Sequence, residues 1–401
     1  MNVVLATPTW SLNGPNVFSK NLARSLNGKG LSAHILITRP DWEDTKPLPR
    51  PSDVPLCELP LNRRFLSAHN RWEAMLRYLE AHAPCIYVPN HDYSHSCISP
   101  ALSAGVAICG IAHSDDPQHY EHVGRLGRYW DSVVAVSENI GHQIERQFPS
   151  IVPRLSIIPY GVSLPKTPPL RPPSARRALR AIYAGRLDQP QKRVLDLPPI
   201  MRAAVELGVP VELTIAGGGP EEEALRRACR AIGCGSKVEF VGILNADRLG
   251  EAYAAHDVFL LTSAFEGMPL SMLEAMGQGC VPVVTDLRSG ISETIQQGVN
   301  GFRCEVGDAV AYARCLRTLY EAPAVHTEMA LRAWETVNAR FRLETMADRY
   351  VGLFERMLSQ RFVRPAGAIK RSPSMPRAEL LPGPIQMLGN RVNALTRFRR
   401  R

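Results

Sequence analysis

The sequence has no apolar run long enough to cross a membrane as a helix. A spanning helix needs about 20 predominantly apolar residues, and the most apolar longer segment, 97–112, is shorter and interrupted by Pro, Ser and Gly. The first residues, MNVVLATPTW, read as a strand and lack the basic segment and sustained apolar stretch of a secretory signal. We therefore expect a cytoplasmic protein.

The cysteines lack the spacing of a metal site or a disulfide framework. The chain has nine, an odd number, scattered along its length, which indicates reduced thiols in the cytosol. Cys229 and Cys234 are close in sequence, but their spacing does not predict a metal site. No metal site is therefore expected among the cysteines, and no cofactor is expected from the rest of the sequence.

The positive charge is confined to one end of the chain. The net charge is +9, and residues 361–401 contain ten Lys or Arg and one Glu, so residues 1–360 are formally neutral. We expect this Pro-containing tail to be disordered, or to contact an anionic membrane from the cytoplasmic side. Residues 380–398 are a candidate amphipathic helix for that contact. Nucleic-acid binding is the weaker alternative because aromatic residues that would stack on bases are scarce there.

Alternating strand and helix patterns along 401 residues predict an α/β protein with two doubly wound domains. Within the first domain the pattern predicts an irregular segment at 39–60, a helix at 94–104 and a strand at 106–112. The Pro-rich, basic segment 163–177 reads as the linker between the domains. The predicted units are listed here in chain order: a first domain at 1–162, the linker, a second domain at 178–342, a helix at 343–360 that crosses back to the first domain, and the tail at 361–401.

The stretch 261–286 brings two carboxylates, a helix start and a strand into one short unit. We predict that Glu266 lies in the loop after a buried strand and that Glu274 lies in the second turn of the helix beginning near Pro269. A helix start at the carboxyl end of parallel strands binds anions, so an extended ligand with a charged middle, such as a sugar nucleotide, is expected. The alternative is two solvated glutamates, but the apolar run SMLEAM around Glu274 argues against it.

The string SAFEGMPLSMLEAMGQGCVPVV, residues 263–284, resembles the donor-site signature of family 4 glycosyltransferases of the GT-B fold. The resemblance implies two Rossmann-like domains facing across a cleft and a retaining, metal-independent hexosyltransferase that takes its sugar from a nucleotide diphosphate donor. It also implies that Glu266 contacts sugar hydroxyls and Glu274 the ribose hydroxyls. His113, after a strand of the first domain, would reach the sugar from the opposite side; a purely structural histidine is the alternative.

Two cations follow the first strand of the second domain. Arg186, in a G-R-L string, and Lys192, six residues later, resemble the family's diphosphate-binding pair. The leaving diphosphate gains negative charge as the glycosidic bond breaks, and fixed cations in a dry cleft stabilise that charge. No D-x-D string occurs in a candidate donor site, so these cations would take the place of a divalent metal. His113, Arg186, Lys192 and Glu266 are the predicted catalytic residues.

The resemblance extends to residues 290–297, which match the family's final helix, and to glycines and backbone positions around the donor. Gly14 stands alone in a loop where the family carries paired glycines, which weakens the role transferred to it. Gly217 to Gly219 form a tight turn rather than a dinucleotide fingerprint, because the full G-x-G-x-x-G is absent. Besides the residues already named, the predicted donor contacts are Gly14, Gly185, Gly217, Val241, Gly242, Gly267, Met268, Pro269 and Leu270.

Several alternatives remain open from the sequence. A nucleotide-sugar epimerase or a phosphorylase would use the same GT-B fold, since a fold does not decide the chemistry. A non-catalytic protein that binds through its basic tail is the alternative outside enzymes. A UDP- or GDP-sugar donor, a carbohydrate or lipid-linked acceptor and a place in polysaccharide biosynthesis follow from the family's range alone. Front-face displacement is the expected mechanism, because the first domain offers no obvious carboxylate nucleophile.

Overall fold

The computed structural model describes residues 1–11, 13–39, 50–61, 67–90, 95–169, 177–360, 362–365 and 367–371. Parts of the predicted linker, of the irregular segment predicted at 39–60 and of the tail lie outside these ranges: residues 170–176, 40–49 and 372–401, the last including the candidate amphipathic helix.

The first domain is a seven-stranded parallel sheet with helices packed on it. Its strands are β1 (Asn2–Thr7), β2 (Ser32–Ile37), β3 (Leu56–Glu58), β4 (Cys85–Pro89), β5 (Val106–Ala112), β6 (Ser132–Ala135) and β7 (Leu155–Ile157). Its helices are α1 (Gly14–Gly28), α2 (Ala68–Ala81), α3 (Pro117–Leu126) and α4 (Glu138–Gln147). Strands such as β5 are buried at every residue, which explains their continuous apolar sequence.

The second domain repeats this arrangement with a six-stranded parallel sheet. Its strands are β8 (Leu179–Ala184), β9 (Val211–Ala216), β10 (Val238–Gly242), β11 (Val258–Leu261), β12 (Val281–Thr285) and β13 (Phe302–Cys304). Its helices are α5 (Leu197–Glu206), α6 (Glu222–Ala231), α7 (Ala246–Ala255), α8 (Leu270–Gly277), α9 (Gly290–Thr294), α10 (Ala309–Glu321) and α11 (Pro323–Arg340).

Both sheets have the doubly wound strand order. It is β3-β2-β1-β4-β5-β6-β7 in the first domain and β10-β9-β8-β11-β12-β13 in the second. In each sheet the order reverses between two central strands, β1 and β4 or β8 and β11, and ligands bind beyond the carboxyl ends of the strands at such a switch point. The two sheets with their helices form the GT-B architecture, as the sequence predicted.

Side-chain caps begin several helices where the sequence has capping residues. Asp116 accepts hydrogen bonds from the amides of Gln118 and His119 at the start of α3. Ser137 accepts one from the amide of Ile140 at the start of α4. Of the two adjacent aspartates at 115 and 116, Asp116 is therefore the one that caps α3.

The structure corrects four local predictions. The helix predicted at 94–104 is a 3-10 helix, His95–Ala101, with Pro100 inside it, because Pro has no amide N–H to continue an α-helix. The helix predicted at 290–297 ends at Thr294. β3 forms an edge of the first sheet within the segment predicted to be irregular, and β13, which was not predicted, forms an edge of the second.

The last helix, α12 (Leu343–Ser359), lies against α1 of the first domain. The rings of Phe18 and Tyr350 are 5.7 Å apart, and the Lys29 ammonium lies 2.6 Å from the Asp348 carboxylate. α12 begins beside the point where the chain leaves the first domain, since the amide of Leu343 donates to the carbonyl of Val162. The described part of the linker packs on the end of α8, where Leu164 fills the space that a side chain at 277 would need.

The beginning of the tail is fastened to the first domain. We call residues 362–365 and 367–371 the strap. Arg364 donates to the carbonyls of Leu102, Tyr129 and Val106 and to the Asp131 carboxylate, at 2.7–2.9 Å. The expectation of a tail disordered throughout 361–401 is therefore wrong for the strap. Within the described residues, no helix has the length and apolar character needed to cross a membrane.

Candidate functional site

Two loops meet at the switch point of the second sheet. The 185–193 loop follows β8, and the 262–269 loop follows the neighbouring strand β11. The amide of Ala264 donates to the carbonyl of Gln191 (2.7 Å), and the Thr262 hydroxyl donates to the carbonyl of Lys192 (2.9 Å). These bonds hold side by side the two segments on which the sequence places most of the donor site.

Lys192 and Glu266 form the central ion pair of these loops. The Lys192 Nζ donates to Glu266 Oε1 at 2.5 Å, and the Ser263 hydroxyl donates to the same oxygen at 2.6 Å. Both side chains are largely buried, with 15% of Lys192 and 7% of Glu266 exposed. Two residues predicted to bind different parts of a ligand, diphosphate and sugar, are thus in direct contact.

Asp188, which the sequence prediction missed, organises the 185–193 loop. One of its carboxylate oxygens accepts hydrogen bonds from the amides of Gln191 (3.1 Å) and Lys192 (3.0 Å). The other lies 3.2 Å from a guanidinium nitrogen of Arg186. Arg186 also donates to the Gln191 side chain (2.6 Å) and remains half exposed, so one cation of the predicted pair faces solvent and the other is held by Glu266.

Three predicted glycines lie at the carboxyl ends of adjacent strands. Gly185 follows β8, Gly217 follows β9 and Gly242 ends β10. The amide of Gly217 donates to the carbonyl of Gly242 (2.7 Å), and the amide of Gly185 donates to that of Ala216 (3.0 Å). Gly217 has a φ of +147° and a Cβ there would overlap the Gly185 carbonyl oxygen, so this backbone approach requires glycine. Val241, predicted to contact the base, is half-buried beside Gly242.

Gly267 is the point where the two domains touch at the site. A Cβ at this position would overlap the backbone carbonyl of His113 in the first domain. The carbonyl of Gly267 accepts a hydrogen bond from the amide of Gly290 at the start of α9 (2.8 Å). The missing side chain therefore lets the end of β5 reach the 262–269 loop.

The His113 ring is held by its own domain. Asn90 Oδ1 lies 2.9 Å from Nε2 and the Tyr160 hydroxyl lies 2.6 Å from Nδ1. Since a carbonyl oxygen only accepts, Nε2 carries the proton and donates to Asn90, while Tyr160 donates to Nδ1. His113 is 6% exposed, so its ring bridges residues of the first sheet, whereas its backbone carbonyl faces Gly267.

The start of α8 completes the cleft wall. Met268 and Pro269 are buried, and Pro269 precedes the first helical residue, Leu270. A Cβ at Gly14, at the start of α1, would lie 4.0 Å from the Leu270 side chain. The positive ends of two helices, one from each domain, therefore lie close together beside the cleft.

Glu274, one turn further along α8, has an unusual environment for a carboxylate. Burial raises its pKa to about 7, and the nearby Lys20 ammonium of α1 partly opposes the rise. The pKa of Lys20 is in turn lowered, by burial and by Arg24, which the attraction of Glu274 partly offsets. A carboxyl group with this pKa changes charge near neutral pH, which is typical of residues that meet a ligand.

The geometry assembles the predicted residues in two groups. Arg186, Lys192, Glu266 and Gly267 lie together at the switch point, and Glu274 lies on the helix that follows. The sequence prediction missed Asp188, Asn90 and Tyr160, because each acts by fixing a neighbour through the fold. Within the described residues, no group of three His, Cys, Asp or Glu side chains is arranged to hold a metal ion.

Comparison with known proteins relates the second domain to one protein family. Residues 178–322 match the family model described as glycosyl transferases group 1. The second domain is therefore similar to that of the group 1 glycosyltransferases. The match spans the donor-site residues of the second domain and leaves those of the first domain outside it.

The chain is similar to the N-acetyl-alpha-D-glucosaminyl L-malate synthase of Bacillus anthracis, with 33% identity over 163 residues that cover 41% of this chain and 42% of the relative. The lipopolysaccharide core biosynthesis glycosyltransferase LpsE of Rhizobium meliloti is 31% identical over 36% of this chain and 41% of its own. The chain thus matches about two fifths of the length of these curated relatives.

Solved structures cover the chain more completely. The sucrose-phosphate synthase of Thermosynechococcus elongatus superposes with a TM-score of 0.71 and 17% identity over 90% of this chain and 99% of its own. Anabaena HepE in complex with UDP gives a TM-score of 0.70 and 16% identity over 88% and 100%. At these identities the likeness shows the GT-B fold alone, now for both domains.

Proposed function

We propose that the protein is a retaining, metal-independent glycosyltransferase that transfers a hexose from a UDP- or GDP-sugar to a carbohydrate or lipid-linked acceptor. The observation that carries this proposal is the buried Lys192–Glu266 pair at the switch point of the second sheet. It combines a fixed cation with a carboxylate that can accept hydrogen bonds from hydroxyls, directly opposite the first domain.

The charges of the site suit a departing diphosphate. Lys192 is largely buried and Arg186 is half exposed, and the start of α8 adds the partial positive charge of its first amides. These groups stabilise the negative charge that develops on the phosphate oxygens as the sugar leaves. This arrangement supports catalysis without a divalent cation.

In this proposal, the two glutamates bind different parts of the donor. Glu266 accepts from sugar hydroxyls next to Lys192, and Glu274 accepts from the ribose hydroxyls one turn into α8. The His113 carbonyl, at the Gly267 contact, approaches the sugar from the first domain. Front-face displacement, in which the leaving phosphate takes the acceptor proton, needs no protein nucleophile.

Binding of donors tests this function most directly. We expect calorimetric titration with UDP-, GDP- and ADP-sugars to show selective binding of a UDP- or GDP-sugar, unchanged by EDTA and weakened in Glu266→Ala. Slow hydrolysis of the same donor without an acceptor should accompany it. Binding of no nucleotide sugar, or binding that EDTA abolishes, would contradict the proposal. Formation of an epimerised free sugar from the donor alone would favour the epimerase alternative.

The strap supports contact between the first domain and an anionic membrane surface. It fastens the chain to the first domain up to Lys370, whose amide donates to the carbonyl of Cys97, and residues 372–401, which follow the strap, contain six Arg and one Glu. Basic residues near an anionic surface contribute about 1 kcal/mol each. Removal of 372–401 should therefore weaken flotation with phosphatidylglycerol vesicles and leave transfer to a water-soluble acceptor unchanged; equal flotation of both forms would exclude this role.

A further inference from the structure

A carboxylate of the second domain lies on a helix start of the first. Glu293, in α9, accepts hydrogen bonds from the amide of Glu138 at 2.9 Å and from the amide of Asn139 at 2.7 Å. Both amides belong to the first turn of α4, where a helix leaves its N–H groups without internal partners. Ser137 caps the same turn from within the first domain, so side chains from both domains share one helix start.

α9 is itself held at the donor site. Its first amide, that of Gly290, donates to the carbonyl of Gly267 (2.8 Å) in the 262–269 loop. Its backbone is also tied to α11, because Arg340 donates to the carbonyl of Glu293 (2.8 Å). A five-residue helix therefore joins the 262–269 loop to α4 of the opposite domain.

In the first domain, further contacts lead from the start of α4 back to the donor site. The Asn139 side chain donates to the Asp115 carboxylate (2.7 Å), and Asp115 lies two residues after His113 at the end of β5. The carbonyl of His113 is in turn the group that packs on Gly267. The distance between His113 and the 262–269 loop is thus fixed twice, once directly and once through Glu293.

We propose that Glu293 is the residue that holds the two domains in the reactive arrangement, by binding the start of α4 when the cleft is closed. It is a positioning residue: its carboxylate binds the start of α4, and through that contact it sets the position of His113 relative to Glu266. The bond is reversible because water satisfies both the carboxylate and the amides when they separate, which leaves a modest net contribution. This inference rests on the glycosyl transfer proposed above.

The test compares Glu293→Ala and Glu293→Gln with the control Glu305→Ala, whose carboxylate is exposed after β13. In the full-length protein, we expect amide hydrogen exchange at residues 138–139 to be about tenfold faster in Glu293→Ala, which corresponds to about 1.4 kcal/mol. The value of kcat should fall by a similar factor, while the Kd for UDP or GDP changes less than twofold. Glu293→Gln, which keeps one acceptor oxygen, should lie between wild type and Glu293→Ala.

Unchanged exchange at 138–139 in Glu293→Ala would overturn the inference. So would a loss of nucleotide affinity equal to the loss of kcat, because Glu293 would then act within the donor site. Faster exchange throughout the second domain with unchanged kcat would show a merely structural role. If the wild type binds no nucleotide and transfers no sugar, the proposed function fails, whereas the exchange at 138–139 still decides whether Glu293 joins the domains.

Discussion

Glu274 and Lys20 face each other across the cleft with opposite charges and pKa values that both move toward neutrality. Burial raises the pKa of the glutamate to about 7 and lowers that of the lysine. The carboxyl pKa is higher in the folded than in the unfolded protein, so its ionisation destabilises the fold as the pH rises from about 4.5 to 7. Because ionised Glu274 destabilises the fold, we expect its ionised form to have a function in ligand binding.

Nucleotide affinity should therefore depend on pH through Glu274. If the carboxylate accepts the ribose hydroxyls, UDP or GDP binding should weaken below about pH 7, by up to about tenfold per pH unit. Glu274→Gln should bind more weakly at pH 8 and lose the pH dependence, whereas Lys20→Met should move the transition to higher pH. Calorimetric titrations between pH 5.5 and 8.5 measure this pH dependence of nucleotide affinity. If Glu274→Gln has the same pH profile as the wild type, Glu274 does not bind the ribose.

The Lys192–Glu266 pair should show separate effects on stability and on turnover. Lys192→Met leaves the largely buried Glu266 carboxylate without its cation, which should lower the free energy of unfolding by about 3 kcal/mol. Adding Glu266→Gln removes that unpaired charge and should restore part of the stability but none of the activity. Urea denaturation and transfer assays on the two single variants and the double variant measure both effects. Recovery of activity in the double variant would contradict the roles assigned here.

The sequence predicts those residues that belong to a contiguous pattern. Glu266, Glu274 and the Gly267 contact lie in one stretch, and Arg186 and Lys192 follow one strand. Side chains that act by holding others leave no such pattern. Asp188 shapes the 185–193 loop and Glu293 caps a helix 155 residues away in sequence, and only the folded chain brings such partners together.

At the scale of loops and helices, the site depends on backbone approaches that exclude a side chain. Gly267 admits the His113 carbonyl, and Gly217 admits that of Gly185. The two differ in what they join. Gly217 brings two loops of the second domain together, whereas Gly267 brings the two domains together.

Gly267→Ala should therefore separate transfer from donor binding. The added Cβ must displace the end of β5, so we expect kcat to fall by about a hundredfold or more, or about 2.7 kcal/mol, with nucleotide affinity within a few-fold of wild type. Gly250→Ala is the matched control, because a Cβ there meets nothing within 4 Å and should stabilise α7 by about 0.5–1 kcal/mol. Steady-state kinetics and calorimetry on both variants decide this, and unaltered kcat in Gly267→Ala would show that the contact is dispensable.

Regular elements were easier to predict than short or distorted ones. β5 and α12 have the length and apolar pattern of their class, and the structure has them at the expected positions. β3 and β13 have three residues each, too few to show a period, and they are strands because a neighbouring edge offers hydrogen bonds. The segment after residue 94 has helical composition, but Pro100 restricts it to a 3-10 helix.

At the scale of the whole molecule, the strap adds a second return of the chain to the first domain. Its main anchor is Arg364, whose guanidinium reaches four backbone carbonyls and one carboxylate with only 9% of the side chain exposed. A planar guanidinium can make several such bonds at once. The charge count alone pointed to a solvated tail, since it does not distinguish an arginine held by carbonyls from one in water.

Two truncations should separate the strap from the rest of the tail. A chain ending at residue 371 should unfold at the same temperature as the full-length protein. A chain ending at residue 360 loses the Arg364 bonds and leaves Asp131 without its cation, so it should be less stable by about 3 kcal/mol. Thermal unfolding followed by circular dichroism measures the difference, and Arg364→Ala in the full chain should reproduce most of it. Equal stability of the two truncated chains would show that the strap contributes nothing.

The return of α12 and the strap also governs the order in which the molecule is completed during synthesis. Residues 178–340 form the second sheet with its helices from one continuous segment, which is complete once residue 340 has left the ribosome. The sheet of the first domain emerges earlier, but its packing is incomplete until α12 and the strap have been made. Phe18 packs against Tyr350, and Asp131 pairs with Arg364. The domain that is made first is therefore finished last.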